Sequence, residues 1–278
     1  MLLDLIGKKF GPIPFTYTWK DAVLYALSIG AQTEELPFLY ENVAGGLRVF
    51  PSFGTIMGHD VFIGLFKDVQ VDFSRFIHGE EAITLYRPIP PSGTVLVDAE
   101  IVNVYDKGSG ALITWRMKAV TEREGLLLEA EHGVFYVGAG GFGGKPGPKA
   151  KAVEIPEGRG PDFAVSYYVP ENQAALYRLN ADLNPLHIDP DFARKGGFSR
   201  PILHGLCTYG YATRAILHGA CDGDVARFKE FRARFSGPVY HGNTLITEGW
   251  KDKDKGYVIR SRTDRDVIVL SHAYAKTK

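Results

Sequence analysis

The chain has 278 residues, which suits two modest domains or one duplicated domain. Its 32 Lys and Arg residues balance 32 Asp and Glu residues, so net charge gives no attraction to nucleic acid or an anionic membrane. The only cysteines, Cys207 and Cys221, predict no disulfide framework and favour a reducing compartment. No apolar run reaches the ~18 residues that a membrane helix needs, and neither a signal peptide nor a C-terminal peroxisomal address is apparent.

The first half of the chain shows a helical pattern followed by strands. In "TWKDAVLYALSIGA" the apolar residues recur at helical spacing, and Thr18 is a suitable N-cap. The stretches "TVLVDAEIV", "GALITWRMKAV" and "LLLEAEHGVFYV" then predict antiparallel strands, the first of them by its clear alternation of apolar and polar residues. A helix packed against an antiparallel sheet is therefore expected in this half.

A segment rich in Gly, Pro and Lys, residues 138–161, separates this half from the next. It contains "GAGGFG", which fits the dinucleotide-binding pattern, but the following Lys-Pro-Gly-Pro cannot open the required helix. The sequence therefore predicts two α+β repeats, residues 1–137 and 162–278, joined by a linker at residues 138–161.

The second half repeats the order of the first. "HGLCTYGYATRAILHGA" has helical periodicity, and its glycines indicate close packing against another element. "NTLITEGW", "GYVIRSRTD" and "DVIVLSHAYA" follow as strands. Because each half also places a Pro and then a Gly before a strand, we interpret the chain as a duplicated fold.

The segment "NADLNPLHIDPD" ahead of that second helix concentrates polar chemistry on a turn stiffened by proline. Asp182 and His187 can form an acid/base pair, and Asn184 between them can hold a water. A polar loop that only caps the helix opened by Pro190 is about equally compatible with the spacing. The segment lacks the glycine and glutamate of a calcium-binding loop and has no further zinc ligands at motif spacing, so we expect no metal.

Several segments in the same order resemble the R-specific 2-enoyl-CoA hydratases, a family that includes the hydratase 2 region of peroxisomal multifunctional enzyme type 2 and the MaoC-like hydratases. The resemblance covers nearly the whole chain. One departure is that Asn180 and Ala181 precede the aspartate, where the family usually has Ser or Thr followed by Gly. The segments that carry the resemblance include "YRLNADLNPLHIDPDFARKGGFSRPILHGLCTYG", "FIHGEEAITLYRPIP", "DKGSGALI" and "RFKEFRARFSGPVY".

The resemblance implies a double hot dog fold in which the second repeat keeps the chemistry and the first makes room for an acyl chain. It implies hydration of a trans-2-enoyl-CoA to the (3R)-3-hydroxyacyl-CoA, without a cofactor beyond the coenzyme A of the substrate, by a homodimer. Asp182 and His187 would be the catalytic pair, with Asn184 beside them and the Gly205 N–H as oxyanion donor.

The resemblance also implies contacts with the substrate and with the catalytic groups. The implied substrate-binding residues are His78, Gly79, Lys107, Leu183, Pro185, Leu186 and Phe235. The implied supporting residues are Tyr177, Asp189 and His204. From the sequence alone, Lys107 fits a solvated turn, His78 a structural histidine and Asp189 a helix N-terminal acid equally well or better. The other histidines, His59, His132, His218, His241 and His272, are expected to be structural or on the surface.

Two alternatives stay open at this point. One is a thioesterase on the same scaffold, and the other is an acyl-CoA-binding protein without catalysis. We expect a cytoplasmic protein with neither nucleic acid nor membrane as partner, and a peroxisomal location is the alternative.

Overall fold

The computed structural model describes residues 2–72, 75–148, 153–180, 182–253 and 256–278, and in them ten strands form one antiparallel sheet. The strands are β1 (Lys9–Tyr17), β2 (Phe76–Leu85), β3 (Gly93–Asp106), β4 (Gly110–Thr121), β5 (Gly125–Val137), β6 (Phe163–Tyr168), β7 (Phe228–Phe235), β8 (Thr244–Lys251), β9 (Gly256–Thr263) and β10 (Ile268–Thr277). The α-helices are α1 (Trp19–Ser28), α2 (Phe53–Ile56), α3 (His59–Phe66), α4 (Gln173–Tyr177), α5 (Pro190–Lys195) and α6 (Gly205–Cys221).

The strand order shows that the fold is duplicated. The sheet runs β1-β3-β4-β5-β2 and continues as β7-β10-β9-β8-β6. Read from its outer edge, the second half therefore has the order of the first, with β6 in the place of β1 and β7 in the place of β2. The predicted α+β architecture and double hot dog fold are confirmed.

The main helix of the first repeat differs from the expected one. The helix predicted around "DAVLYALS" forms as α1, but α1 contacts α4 and β1. It is α3 that packs on β1 and β3, as α6 packs on their counterparts β6 and β8. The sequence pattern did not predict this helix, because the segment from Phe53 to Phe66 forms two short helices separated at Gly58.

The glycines of α6 permit the close packing predicted for them. A side chain at Gly210 would collide with Ile29 and approach the Tyr25 hydroxyl. These two residues belong to the buried core of the first repeat. The main helix of the second repeat thus lies directly against the end of α1, and one apolar core runs through both halves.

The two repeats meet where β2 pairs with β7, and β2 is irregular there. Its pairing with β5 shifts register between His78 and Glu80, at Gly79, which marks a β-bulge. Beyond the bulge, Glu81 lies opposite His132 of β5 and Ala233 of β7. Residues three apart in a regular strand face opposite sides, whereas the extra residue allows His78 and Glu81 to meet on one side.

The described parts of the predicted linker, residues 138–148 and 153–161, lie outside helices and strands. The "GAGGFG" segment folds back on the turn between β3 and β4, where the Asp106 carboxylate accepts the N–H groups of Gly141 and Gly143. These bonds give the glycine-rich segment a structural role. The proposed repeat boundaries remain a prediction.

Across the described residues, every helix is too short or too polar to traverse a lipid bilayer.

Candidate functional site

A cavity of about 780 Å³ lies between the two repeats. From the second repeat, its wall includes Asp182, His187 and Gly205. From the first repeat, Phe62 of α3 and Trp115 of β4 line the same space. The lining of the cavity is mostly apolar with a few polar groups, which is typical of a site for a small molecule with an apolar part.

The polar turn of the sequence forms one side of this cavity. The side chain of Asp182 accepts the N–H of Asn184 at 3.0 Å through Oδ1, and Asn184 Oδ1 accepts the N–H of Leu186 at 3.0 Å. Pro185 begins a single 3-10 turn that ends at His187. Ala181, the departure noted in the sequence, lies outside the described residues.

Asp182 and His187 face each other across this turn. Asp182 Oδ2 lies 3.9 Å from His187 Nε2, and the imidazole is 9 % exposed against 44 % for the carboxylate. His187 Nδ1 lies 2.9 Å from the carbonyl oxygen of Ile202 and must donate to it, since a carbonyl only accepts. Burial lowers the pKa of His187, outweighing the Asp182 charge and the Ile202 hydrogen bond, which both act to raise it. The neutral ring therefore presents a lone pair at Nε2 toward Asp182.

His204 supports both members of the pair. Its ring centroid lies 3.7 Å from that of His187, and its Nε2–H donates to the backbone carbonyl of Asp182 at 3.2 Å. The Tyr177 ring also packs against His204, at 4.9 Å between centroids. Burial, followed by the neighbouring His187, lowers the pKa of His204 to about 3. The ring therefore stays neutral and holds the turn in place.

Gly205 begins α6 directly after His204, so its N–H belongs to the first turn and is not used by the helix. The His78 side chain and the Phe235 ring pack over it, within 3.7 Å and 3.4 Å of where a Cβ would lie. The structure thus brings together Gly205 of α6, His78 of β2 and Phe235 of β7, which are far apart in the sequence. The helix end supplies a donor and a positive dipole end beside the acid/base pair.

Four further predicted residues lie in the cavity wall or in strand β2 beside it. Leu183, Pro185 and Leu186 line the cavity together with Asp182 and His187. Gly79 forms the bulge of β2.

Two predicted residues lie apart from the pair. Asp189 caps α5 by accepting the N–H groups of Asp191 and Phe192, in agreement with its reading as a helix N-terminal acid. Lys107 lines a separate groove together with Arg234, and its ammonium donates to the carbonyl oxygen of Pro146. A contact between Lys107 and coenzyme A stays a prediction.

The structure adds a polar cluster that the sequence did not reveal. Glu81 is fully buried, and its Oε2 accepts from His78 Nε2 at 2.9 Å and from His132 Nδ1 at 2.7 Å. His132 stacks on Trp115 at 3.8 Å between centroids, and both residues line the cavity. His132 belongs to no motif, and only the bulge at Gly79 brings Glu81 to His78, so the sequence offered no signal for it.

Two sets of side chains within the described residues have the composition of a metal site. Asp182, His187 and His204 form one set, and His78, Glu81 and His132 form the other. In the second set, hydrogen bonds from His78 and His132 to Glu81 already join these atoms, while in the first set both histidines donate to carbonyl oxygens. That the site needs no metal remains a prediction.

Two family models match the chain in succession. The MFE-2 hydratase 2 N-terminal domain matches residues 15–138, and the MaoC like domain matches residues 152–271. A duplicated hot dog whose second repeat carries the aspartate–histidine turn is therefore a MaoC-like protein in class.

Similar proteins narrow the class to a family. A probable enoyl-CoA hydratase 2 of Dictyostelium discoideum is 38 % identical, and the match covers 98 % of this chain and 94 % of that protein. The chain belongs to the enoyl-CoA hydratase 2 family. Peroxisomal multifunctional enzyme type 2 of Mus musculus is 40 % identical over 97 % of this chain, which spans 37 % of the mouse protein. A crystal structure of a MaoC-like dehydratase from Phytophthora capsici superposes with a TM-score of 0.88 at 30 % identity, covering 99 % of this chain and 97 % of that one.

Proposed function

We propose that this protein catalyses the reversible hydration of trans-2-enoyl-CoA to (3R)-3-hydroxyacyl-CoA in fatty acid β-oxidation. The observation that carries the proposal is the Asp182 carboxylate 3.9 Å from a lone pair on His187, inside a cavity beside the first N–H of α6. The names of the Dictyostelium and mouse relatives support the reaction and the substrate class. Coenzyme A enters as part of the substrate, and the chemistry of the step needs no other group.

The tautomer of His187 supports its role as the base. Because Nδ1 donates to Ile202, Nε2 is the nitrogen that accepts a proton from water as the water oxygen bonds to C3. The electrons of the double bond move through C2 onto the thioester oxygen. The resulting imidazolium lies beside the Asp182 carboxylate, which stabilises its charge.

The proton then passes from His187 to C2, and the electrons return from the enolate oxygen. The water thus supplies both the hydroxyl and the hydrogen, and both are delivered from one side of the substrate. Asn184 fits the role of holding the water, because its Oδ1 is engaged with Leu186 and its amide N–H₂ remains to donate.

The negative charge on the thioester oxygen needs a donor that is already in place. The Gly205 N–H meets this need at the start of a 17-residue helix, where the helix dipole favours an anion. The packing of Phe235 over Gly205 excludes water from this end of the cavity and strengthens the interaction.

The acyl chain occupies the part of the cavity formed by the first repeat. Ile56, Phe62 and Phe76 line this part with apolar side chains. Burial of apolar surface contributes about 0.8 kcal/mol for each CH₂ group, so this wall can bind a chain without touching the reacting atoms.

Activity is tested by following the loss of the conjugated enoyl-thioester absorbance with crotonyl-CoA and decenoyl-CoA, followed by chiral analysis of the alcohol. Asp182→Asn and His187→Gln should each lower kcat by about 10²- to 10⁴-fold in a folded protein. Asp191→Asn is the matched control, since Asp191 is an exposed carboxylate on α5 paired with Arg194. Near-normal rates in either site variant would refute the assignment.

The same assay separates the alternatives. Release of free thiol would indicate a thioesterase, and binding of enoyl-CoA without loss of its absorbance would indicate a non-catalytic carrier.

We also propose a homodimer, on the strength of the family resemblance, with sedimentation velocity as its test. The names of the mouse relative and of an Arabidopsis thaliana enoyl-CoA hydratase 2 assign those proteins to peroxisomes. They support the peroxisomal alternative for this chain, and the cytoplasmic location stays a prediction that fractionation of the source cells would test.

A further inference from the structure

A buried carboxylate, Glu81, lies behind the part of the cavity wall that His78 and His132 of the first repeat form. The Glu81 side chain has no exposed surface, and its two hydrogen-bond partners are His78 and His132. Burying a carboxylate without hydrogen-bond donors or a compensating charge is strongly unfavourable. Burial acts to raise the pKa of Glu81, yet the charge and hydrogen bond of His132, followed by those of His78, lower it overall. The cluster therefore holds a buried carboxylate between the imidazole N–H groups of His78 and His132.

The two imidazoles differ in access to the cavity. The His132 side chain is 2 % exposed and is held between Glu81 and the Trp115 ring. The His78 side chain is 23 % exposed in the cavity wall. With Nε2 turned to Glu81, the remaining nitrogen of His78 is Nδ1, and it is the one available to a bound molecule.

His78 also lies close to the oxyanion donor. Its Cβ is 3.7 Å from the position of a Cβ on Gly205, and its ring meets the Phe235 ring edge-on at 4.9 Å between centroids. The bulge at Gly79 and the bond to Glu81 together determine how this ring enters the cavity. A thioester oxygen at the Gly205 N–H would therefore have the His78 imidazole as a neighbour.

We propose that Glu81 is a positioning residue that holds His78, with hydrogen on both ring nitrogens, as a second hydrogen-bond donor to the thioester oxygen. The inference rests on the proposed hydratase function and extends its oxyanion site into the first repeat. When negative charge develops on the thioester oxygen, His78 Nδ1–H donates to it and keeps its proton, so no bond is made or broken at this residue. The interaction strengthens in the transition state, and its loss should therefore lower kcat more than it changes KM.

The test is a double-mutant cycle measured with crotonyl-CoA on the whole protein. His78→Phe keeps a ring but removes the donor, and we expect kcat to fall by about 10²-fold. Glu81→Gln keeps the shape but removes the charge, and we expect a fall of about 10- to 100-fold with KM changed by less than about threefold. In the double variant kcat should equal that of His78→Phe alone, because Glu81 acts through His78.

The neighbouring Glu80→Gln is the matched control, since this carboxylate is 42 % exposed and faces Arg234. It should retain wild-type kcat. Multiplicative losses in the double variant, or a Glu81→Gln protein with wild-type kcat, would overturn the inference. A stoichiometric metal ion in the purified wild type that is lost in Glu81→Gln would also overturn it, because the metal would take the place of the hydrogen bonds between Glu81 and the two imidazoles. If Asp182→Asn remains active, the proposed function itself fails, and that outcome is distinct from these.

Discussion

The groups around the His187 imidazole determine its tautomer and favour its neutral form. The carbonyl of Ile202 fixes its tautomer, and the ring of His204 covers one face. The hydrogen bond to Ile202 acts to raise the pKa of His187, but burial outweighs it and favours the neutral ring. A base that is neutral and oriented before the substrate arrives loses little free energy in reaching the transition state.

Acid should destabilise the fold through His204. Unfolded histidine binds a proton below about pH 6.5, while burial lowers the pKa of folded His204 to about 3. Between these values the unfolded state holds more protons, so the free energy of unfolding falls as pH falls, by about 1 kcal/mol per pH unit from this group.

His204→Phe should flatten this slope, and urea unfolding from pH 7 to pH 4 measures it. His59→Phe is the control, since the His59 side chain, at the start of α3, is 40 % exposed. An unchanged slope in His204→Phe would contradict the attribution.

For individual residues, the sequence predicted which side chains belong to the site better than it predicted the groups that those side chains contact. Asp182, Asn184, His187 and Gly205 could be identified because each lies in a short segment of distinctive residue order. The role of Ile202 could not, because a backbone carbonyl leaves no trace in residue type. Glu81 could not either, because its meeting with His78 depends on one extra residue in a strand.

Among the elements, the contact between the segment after α1 and the helix α6 is held by a buried ionic cluster. Glu35, in a 3-10 turn at residues 33–38, accepts from Arg214 and His218 of α6. Arg214 also lies over the Tyr167 ring at 3.7 Å. Burial acts to raise the pKa of Glu35, but the hydrogen bonds of His218 and Arg214 outweigh it and bring the value to about 2.

Removing one member of this cluster should destabilise the protein. Glu35→Gln leaves Arg214 buried without its anion, and we expect the free energy of unfolding to fall by about 3 kcal/mol. Combining Glu35→Leu with Arg214→Met removes both charges and should recover much of the loss. Urea unfolding measures both, with the adjacent exposed Glu34→Gln as the control. A Glu35→Gln loss below about 1 kcal/mol would show that solvent reaches the cluster.

The helices also show why the sequence pattern assigned the main helix of the first repeat to the wrong segment. The periodicity of α1 is strong, and it suggested that α1 is the main helix of the first repeat. The segment that takes this place, α2 and α3, has two short helices and therefore too few turns for a clear period. Packing on β1 and β3, which periodicity cannot report, decides the position.

At the scale of the whole molecule, the described strands of both repeats join in one continuous sheet, although the sequence has two repeats. β2 and β7 pair from Glu80–Arg234 to Thr84–Glu230. The Gln173 side chain donates to the carbonyl of Leu27 in the other repeat, and Cys207 approaches that of Ser28. The duplication was visible from the order of the predicted elements, but the shared sheet was not, since strand neighbours distant in sequence leave no local pattern.

This continuity predicts a single cooperative unfolding transition for the two repeats. Separation of one repeat would expose the β2 or β7 edge and the apolar wall of the cavity, so neither unit should unfold alone. Differential scanning calorimetry should give one peak whose van't Hoff and calorimetric enthalpies agree. Two resolved transitions would show that the repeats are independent.

Because both repeats line the cavity, the substrate range of the protein can change separately from its chemistry. In the proposed mechanism the reacting groups come from one turn and one helix end in the second repeat, while α2, α3 and β4 of the first repeat shape much of the remaining wall. Substitutions in that wall can alter which molecules are accepted while the reacting groups keep their positions. A library confined to those three elements should therefore yield variants with new substrate ranges far more often than variants with no activity, which makes the first repeat the natural target for directed evolution.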